Sequence, residues 1–294
     1  MRSSGYLLVV AVILGIFCGI RYCSSGAGYV EETPSLFEGF IPENAALVFL
    51  GRPDLDKMEQ AEAQAKAEKR EFQGDPLQYI TEPIQVIKEN TKWRVVMPGE
   101  ITLPAAQNQV EDLLKAVAGI PATRSDIVSE QEEHHEAYQV DAKHALHVVV
   151  KGKNDATMAH LLVGRKPEPG EDADYTASQG RFVRKADEPF VIHYGKQYWN
   201  LEEKRENWLD KQVLTFERDQ VERIVVKNKK GGWTLERDGE DDSKWRLVAP
   251  IEGPAKENEA AIVLNNFANL YFDHYVGPKT PQVLAQCQLD ANAS

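Results

Sequence analysis

Five consecutive residues, Glu132 to Glu136 (EEHHE), combine the carboxylate and imidazole groups that often bind transition metals in proteins. A zinc site on a helix needs two histidines four residues apart, so that both lie on one face. His134 and His135 are adjacent, and their side chains therefore point in different directions on a helix or a strand. The spacing favours an exposed acidic loop, and adventitious metal binding is the alternative that stays open.

Other chemically competent residues stand in patterns typical of structural roles. His144, His147 and His160 lie on or near predicted strands, alternating with apolar residues, as half-exposed strand positions do. Cys287 lacks a recognisable partner pattern for a nucleophile, and residues 229–232 (KKGG) suit a hairpin turn better than a phosphate loop. We predict no catalytic residue, no cofactor and no metal.

A tryptophan-centred heptapeptide occurs twice, which indicates an internal repeat. KWRVVMP starts at Lys92 and KWRLVAP starts at Lys244, 152 residues later. Pro104 and Pro254 follow at a spacing of 150, and so do two apolar helical patterns. We predict eight residues to be structural anchors of the repeats: Trp93, Pro98, Leu113, Leu114, Trp245, Pro250, Val263 and Leu264. A ligand-stacking role for the two tryptophans is the alternative.

Each predicted repeat consists of a strand followed by one helix. The Trp, the basic residue and the aliphatic residues suit a strand that ends at a proline. Pro104 and Pro254 stand where a helix could start. The helix after Pro104 presents Val110, Leu113, Leu114 and Val117 on one face, and the helix after Pro254 presents Ala260, Val263, Leu264 and Phe267.

Strand patterns dominate the rest of the chain, so the expected fold class is α+β with antiparallel sheets that are covered on one face. We predict a signal anchor or signal peptide over 1–27, then a linker, a short strand and an exposed charged helix over 28–83. The first repeat would span 84–216, and the second, incomplete repeat 217–294. Because the second copy has no strands after its helix, we expect an unfinished sheet edge there.

The N-terminus predicts a location. Leu7 to Ile20 carries no charge, and the 17 residues from Tyr6 to Tyr22 would form a helix of about 25 Å, near the lower limit for a bilayer span. An uncleaved anchor is favoured, with a cleaved signal peptide as the alternative. Both export everything after residue 27, and the favoured anchor predicts a single-pass inner-membrane protein with its bulk in the periplasm.

Composition excludes one class of partner. The chain has 34 Lys+Arg against 46 Asp+Glu, a formal net charge of −12. A phosphate backbone requires clustered basic residues, so we predict no nucleic-acid binding.

These features together resemble a bacterial family, the domain-of-unknown-function 4340 proteins, over about residues 84–294. The doubled W-R-[VL]-V-x-P strand carries the resemblance, together with residues 161–164 (LLVG) followed by Tyr175, and with residues 208–211 (WLDK). The strand 221–226 that leads to Gly232-Trp233 adds to it. The family pattern usually has Asp where this chain has Asn108 and Asn258, and it usually completes its second repeat.

The resemblance implies a membrane anchor and no known catalytic residues. Some such proteins resemble auxiliary subunits of ABC-type export or gliding systems. The leading hypothesis is therefore a membrane-anchored, extracytoplasmic, non-catalytic interaction module that binds transporter subunits or other envelope proteins. The alternative is a cell-envelope hydrolase or a carbohydrate-binding protein that uses the loops around 125–142 and 165–180.

Overall fold

The fold was analysed in a computed structural model, which describes residues 34–72, 74–168, 180–195, 201, 203–228, 231–238, 241–256 and 259–287. The predicted membrane segment, residues 1–27, lies outside these ranges. Among the helices within them, none has the length and apolar character that a membrane span requires.

The protein is a mixed α+β structure with two antiparallel sheets. Nine strands form the first sheet in the order β4-β3-β2-β1-β6-β7-β8-β9-β5. Their bounds are β1 Ala45–Gly51, β2 Ile84–Glu89, β3 Lys92–Met97, β4 Ile101–Pro104, β5 Ile127–Ser129, β6 Leu146–Gly152, β7 Thr157–Val163, β8 Arg181–Lys185 and β9 Val191–Tyr194.

The first sheet buries its central strands and packs one helix on the core side. In β6 the first five residues, LHVVV, are all buried, which explains their continuous run of apolar and β-branched types. Helix α2 (Gln107–Ala118) buries Val110, Leu113, Leu114 and Val117, as its 3.6-residue periodicity predicts. These residues join Trp93 and the inner residues of β1 to β8 in one large core.

Helix α1 (Leu55–Ala67) lies between β1 and β2 in the chain and is mostly solvated. Asp54 caps it by accepting a hydrogen bond from the backbone N–H of Lys57 at 3.2 Å. Only Met58 and Ala65 of this helix are buried, in agreement with the weak apolar stripe of its sequence.

Four strands form the second sheet in chain order: β10 Arg223–Asn228, β11 Gly231–Asp238, β12 Asp241–Ala249 and β13 Gly253–Pro254. Helix α3 (Glu259–Ala268) follows β13, and the short helix α4 (Pro281–Gln286) lies near the end of the described chain. The core of this part is small: Ile224, Leu235, Ala260 and Leu264 are its buried apolar residues.

Two details of the predicted repeats are wrong. Pro104 and Pro254 end strands β4 and β13, and helices α2 and α3 begin only at Gln107 and Glu259. Both strands are the last of the described strands in their sheets, where an N–H that proline lacks is not needed by a further neighbour. Phe267 is exposed, although the helical pattern placed it on the apolar face with Ala260, Val263 and Leu264.

Candidate functional site

Trp93 is fixed in the core of the first sheet by contacts on several sides. Its side chain is 2% exposed, and the Lys88 ammonium lies 5.3 Å from the ring centroid. The Gln107 side chain, at the start of α2, accepts from Trp93 N at 2.8 Å and donates to Trp93 O at 2.9 Å. Leu113 and Leu114 are buried in the same core, whereas Pro98 is exposed and directly follows β3.

Trp245 has similar neighbours but less cover. The Arg237 guanidinium lies 5.0 Å from its ring centroid, and the ring is only partly buried against the second core. Leu264 is buried and Val263 partly buried in that core. Pro250 is exposed and directly follows β12.

The backbone around the two tryptophans is bonded in the same way. Ala105 N donates to Trp93 O at 3.1 Å, and Ala255 N donates to Trp245 O at 3.0 Å. The strand registers also correspond: Arg94 faces Pro104 in the first sheet, and Arg246 faces Pro254 in the second.

A short extended segment is bonded beyond each helix. After α2, Leu36 N donates to Ile120 O and Ala122 N donates to Pro34 O, both at 2.8 Å. The side chain of Ser35 donates to the carbonyl of Ala118 at 2.7 Å.

The same pattern follows α3. Val213 N donates to Leu270 O at 2.9 Å, and Phe272 N donates to Lys211 O at 3.0 Å. The side chain of Gln212 donates to the carbonyl of Ala268 at 3.1 Å. Sequence reasoning missed segments 34–36 and 211–213, because a single bridge of this kind leaves no periodicity.

A small groove opens beside Trp93. Its volume is about 230 Å³, below the usual range for ligand pockets. Charged groups of both signs line it, and the lining comprises Pro42, Glu43, Lys88, Thr91, Trp93, Glu111, Leu114 and Lys115. Because Trp93 is almost fully buried, its ring offers little surface to a ligand.

The EEHHE cluster is divided between surface and core. Glu132–His134 forms a 3-10 turn, and its residues are exposed as predicted. His135 is buried, contrary to the prediction of an exposed loop, because its Nε2 donates to the carbonyl of Pro189 at 2.7 Å. Within the described residues, no group of three or more His, Cys, Asp or Glu could hold a metal ion.

His147 and His160 form a hydrogen-bonded pair, in which His147 is buried, contrary to the prediction, and His160 is partly buried, as predicted. His147 is 1% exposed, and its Nε2 donates to the carbonyl of Ala142 at 2.8 Å. The other nitrogen, Nδ1, therefore accepts from Nε2 of His160 at 3.0 Å. Burial lowers the pKa of His147. The pKa of His160 is lowered to about 4, mainly by burial and to a smaller extent by electrostatic repulsion from His147. Both rings are neutral at pH 7.

Arg184 is a buried cation that sequence reasoning did not single out. Its guanidinium donates to four backbone carbonyl groups, those of Val140, Lys185, Ala186 and Glu188. These bonds tie the loop before β6 to the hairpin between β8 and β9.

The remaining candidates are Cys287, His144 and the KKGG turn. Cys287 is a free, half-buried thiol at the C-terminal end of α4. His144 lies half-buried beside Asp141, with its Nδ1 2.9 Å from the carboxylate. Residues 229–230 of the KKGG turn lie outside the described ranges.

Exposed apolar side chains concentrate in the C-terminal part of the chain. Of the twelve large apolar side chains that are exposed among the described residues, nine lie between 213 and 276. They belong to β10, to α3 and to the segments beside them, and comprise Val213, Leu214, Val225, Ile251, Ile262, Phe267, Leu270, Tyr271 and Val276. Exposed apolar residues that form a contiguous patch mark interaction sites, whereas single exposed apolar residues are common on protein surfaces.

Comparison with known families gives a match over most of the chain. A sequence model described as "Domain of unknown function (DUF4340)" matches residues 93–292. The chain belongs to the DUF4340 family. Comparisons with curated proteins and with solved structures gave no significant match.

The DUF4340 region begins at Trp93 and includes both tryptophan strands and the exposed apolar residues. One motif in it has a clear structural reason. Gly164, in the LLVG sequence, lies so close to the carbonyl of Tyr138 that a side chain there would collide with the backbone. Tyr175 lies outside the described residues.

The WLDK motif of the DUF4340 region connects the two sheets. Trp208 is fully buried, and its carbonyl accepts from Ala106 N at 2.9 Å, just before α2. Asp210 N donates to Pro104 O at 2.9 Å. Lys211, the next residue, is bonded to Phe272 after α3, so a few consecutive residues contact both helix-bearing regions.

Proposed function

We propose that this protein is a membrane-anchored, extracytoplasmic interaction module without catalytic activity, built from two tandem repeats. One apolar segment at the N-terminus would anchor it in the inner membrane, and the folded part would lie in the periplasm. The uncharged run from Leu7 to Ile20 supports the anchor.

The paired hydrogen bonds support the tandem repeat. Each proposed repeat contains the same tryptophan strand, the same short strand that ends in proline, one helix and one bridging segment. The cation above each ring adds to the correspondence, since Lys88 faces Trp93 and Arg237 faces Trp245 in equivalent ladder positions.

The carrying observation is the concentration of exposed apolar side chains between 213 and 276. Exposing such residues to water is unfavourable by about 25 cal/mol per Å² of apolar surface, so a partner that covers them gains that free energy. The polar groups that could do chemistry are instead engaged in structure: His135, His147 and Arg184 all bond backbone carbonyl groups.

The proposed partner is a membrane protein of the same envelope, such as a subunit of an ABC-type export system. The proposed anchor supports this choice, because an anchored module would lie next to integral membrane proteins. The alternative of a hydrolase or carbohydrate-binding protein has weaker support, because the groove beside Trp93 is small.

Two experiments test the proposal. A reporter that is active only outside the cytoplasm, fused after residue 45, should give signal, and the full chain should stay in the membrane fraction. A photo-reactive amino acid at Ile262 or Tyr271 should crosslink to one integral membrane protein, whereas the same group at the exposed Glu133 should not. A silent reporter, or equal crosslinking at all three positions, would contradict the proposal.

A further inference from the structure

Strand β10 has one paired edge and one open edge. Its paired edge bonds β11, and no described strand lies on the other side. Val225, in the middle of β10, is 49% exposed, and Arg223 and Lys227 on either side of it are exposed too. Unpaired strand edges are the places where proteins add a strand from another chain.

The first sheet contains the counterpart of this edge with a strand bound to it. In the first sheet Val86 of β2 faces Val95, and in the second sheet Leu235 of β11 faces Leu247. Val95 and Leu247 each lie two residues after the tryptophan of their strand. Val48 of β1 faces Val86, and Ile224 of β10 faces Leu235. Position by position, β10 therefore corresponds to β1, and β1 is covered on its second edge by β6.

The hydrogen-bonding groups on the open edge can be assigned from the ladder. Arg237 N donates to Glu222 O at 2.9 Å, so these two residues form a hydrogen-bonded pair. Because such pairs alternate along an antiparallel ladder, Ile224 and Val226 direct their backbone groups to β11. The N–H and C=O groups of Arg223, Val225 and Lys227 then point to the open edge.

The strand β6 indicates what kind of segment fits there. Val150, Val149 and Val148 face Val48, Phe49 and Leu50, which correspond to Ile224, Val225 and Val226. The flanking residues of β6, Lys151 and His147, face the positions that correspond to Arg223 and Lys227. An incoming segment should therefore have three β-branched apolar residues in a row, and acidic residues in place of those two flanking residues.

We propose that the open edge of β10 binds an extended segment of a partner protein as an antiparallel strand, with β-branched residues facing Ile224, Val225 and Val226 and acidic residues facing Arg223 and Lys227. This inference rests on the proposed interaction function and names its binding site. A second copy of this chain fits less well. Antiparallel pairing of two β10 strands about Val225 would place Arg223 opposite Lys227 twice, and like charges in facing positions are unfavourable.

The test uses the full chain and two labelled peptides that copy residues 144–153. One peptide has the native sequence, and the other carries His147→Glu and Lys151→Glu. Fluorescence anisotropy should show the acidic peptide binding roughly three- to ten-fold more tightly, because two facing charge pairs become attractive. Amide hydrogen exchange should show new protection at residues 223–227.

Two variants at one position provide the decisive comparison. Val225→Pro removes an outward N–H that β11 does not use, and should weaken binding of the acidic peptide at least ten-fold. Val225→Ala keeps that N–H and should stay within about three-fold of the native protein. If Val225→Pro lowers the melting temperature, the double variant Arg223→Glu, Lys227→Glu replaces it, and this variant should prefer the native peptide.

Three results would overturn the inference: equal binding by the proline and alanine variants, protection outside β10, or a dimer without peptide that Val225→Pro abolishes. The last result would make a second copy the occupant. Membrane topology and crosslinking from Ile262 do not depend on these peptides. If the topology and crosslinking results agree with the proposal while peptide binding fails, the proposed interaction module is supported and the proposed β10 site is refuted.

Discussion

The two tryptophan regions share their local bonding but differ in how completely they are buried. Trp93 lies in a core supported by nine strands, whereas Trp245 is half-covered by a sheet of four described strands and a ten-residue helix. The difference lies in the neighbours: β6 to β9 extend the first sheet beyond β1, and no described strand extends the second beyond β10. The two regions therefore share the local hydrogen bonding around their tryptophans. The additional strands of the first sheet account for the greater burial of Trp93.

The largest expected effect concerns the two tryptophans. Trp93→Ala should lower the free energy of unfolding by roughly 3–5 kcal/mol, because it leaves a large cavity in a closed core. Trp245→Ala should cost only about 1–3 kcal/mol, since water can enter part of the space. Urea denaturation followed by circular dichroism measures both, with Trp→Phe at each position as the control. Equal losses in the free energy of unfolding would contradict the proposed difference in burial between Trp93 and Trp245.

A second comparison uses equivalent helix positions. Val117 of α2 is fully buried, and Phe267, 150 residues later in α3, is 42% exposed. Val117→Asn should cost about 2–4 kcal/mol because it buries an amide without a partner, whereas Phe267→Asn should stay within about 1 kcal/mol. Asparagine has the same helix propensity at both sites, so the contrast reports burial. Calorimetric melting of the two variants provides the measurement, and a large loss at Phe267 would argue against its exposure.

The smallest effect is a pH dependence confined to the first sheet. The pKa of His160 falls from its ordinary value of 6.5 to about 4 in the folded protein, so the unfolded chain binds a proton more readily. Stability is complete above pH 6.5 and decreases as the pH falls toward 4. Since the ring is only partly buried, we expect a loss of about 1–2 kcal/mol.

His160→Gln serves as the control for this effect, because its amide can still donate to Nδ1 of His147 and does not titrate. Urea titrations at pH 7 and pH 4.5 should show a smaller loss of stability in the variant than in the native protein. An equal loss in both would assign the pH dependence to other groups, such as His147, whose pKa burial lowers, or Glu203, whose pKa the Arg52 hydrogen bond lowers.

Periodic patterns predicted the main elements well, because they follow directly from burial. The alternation around Trp93, the apolar run of β6 and the helical spacing of Val110 to Val117 all correspond to observed elements. The expected α+β class with antiparallel sheets is also what the structure has. The tandem repeat remains a prediction that the matching hydrogen bonds support.

Features that depend on distant backbone groups could not be predicted. His147 is buried because the Ala142 carbonyl and His160 satisfy both of its nitrogens, and no local pattern encodes those contacts. The guanidinium of Arg184 likewise bonds the distant carbonyl of Val140 in addition to three carbonyl groups of the adjacent β8–β9 turn. The proposed β10 site depends on an edge beside which no described strand lies, and it was recognised by comparison with the first sheet.

The order of the strands also determines when each sheet can form during synthesis. In the second sheet β10 to β13 follow one another directly, so every described pairing is local and should form fast. In the first sheet Val48 of β1 pairs with Val150 of β6, so this pairing cannot form until β6 has been synthesised. At ribosomal rates of about 5–20 residues per second, the 101 residues from 52 to 152, which separate the end of β1 from the end of β6, take roughly 5–20 s to appear. During that interval β1 has one strand edge without a partner. In the folded protein β10 likewise has no described strand on one side. Chaperones that shield strand edges should therefore engage the growing chain in this window.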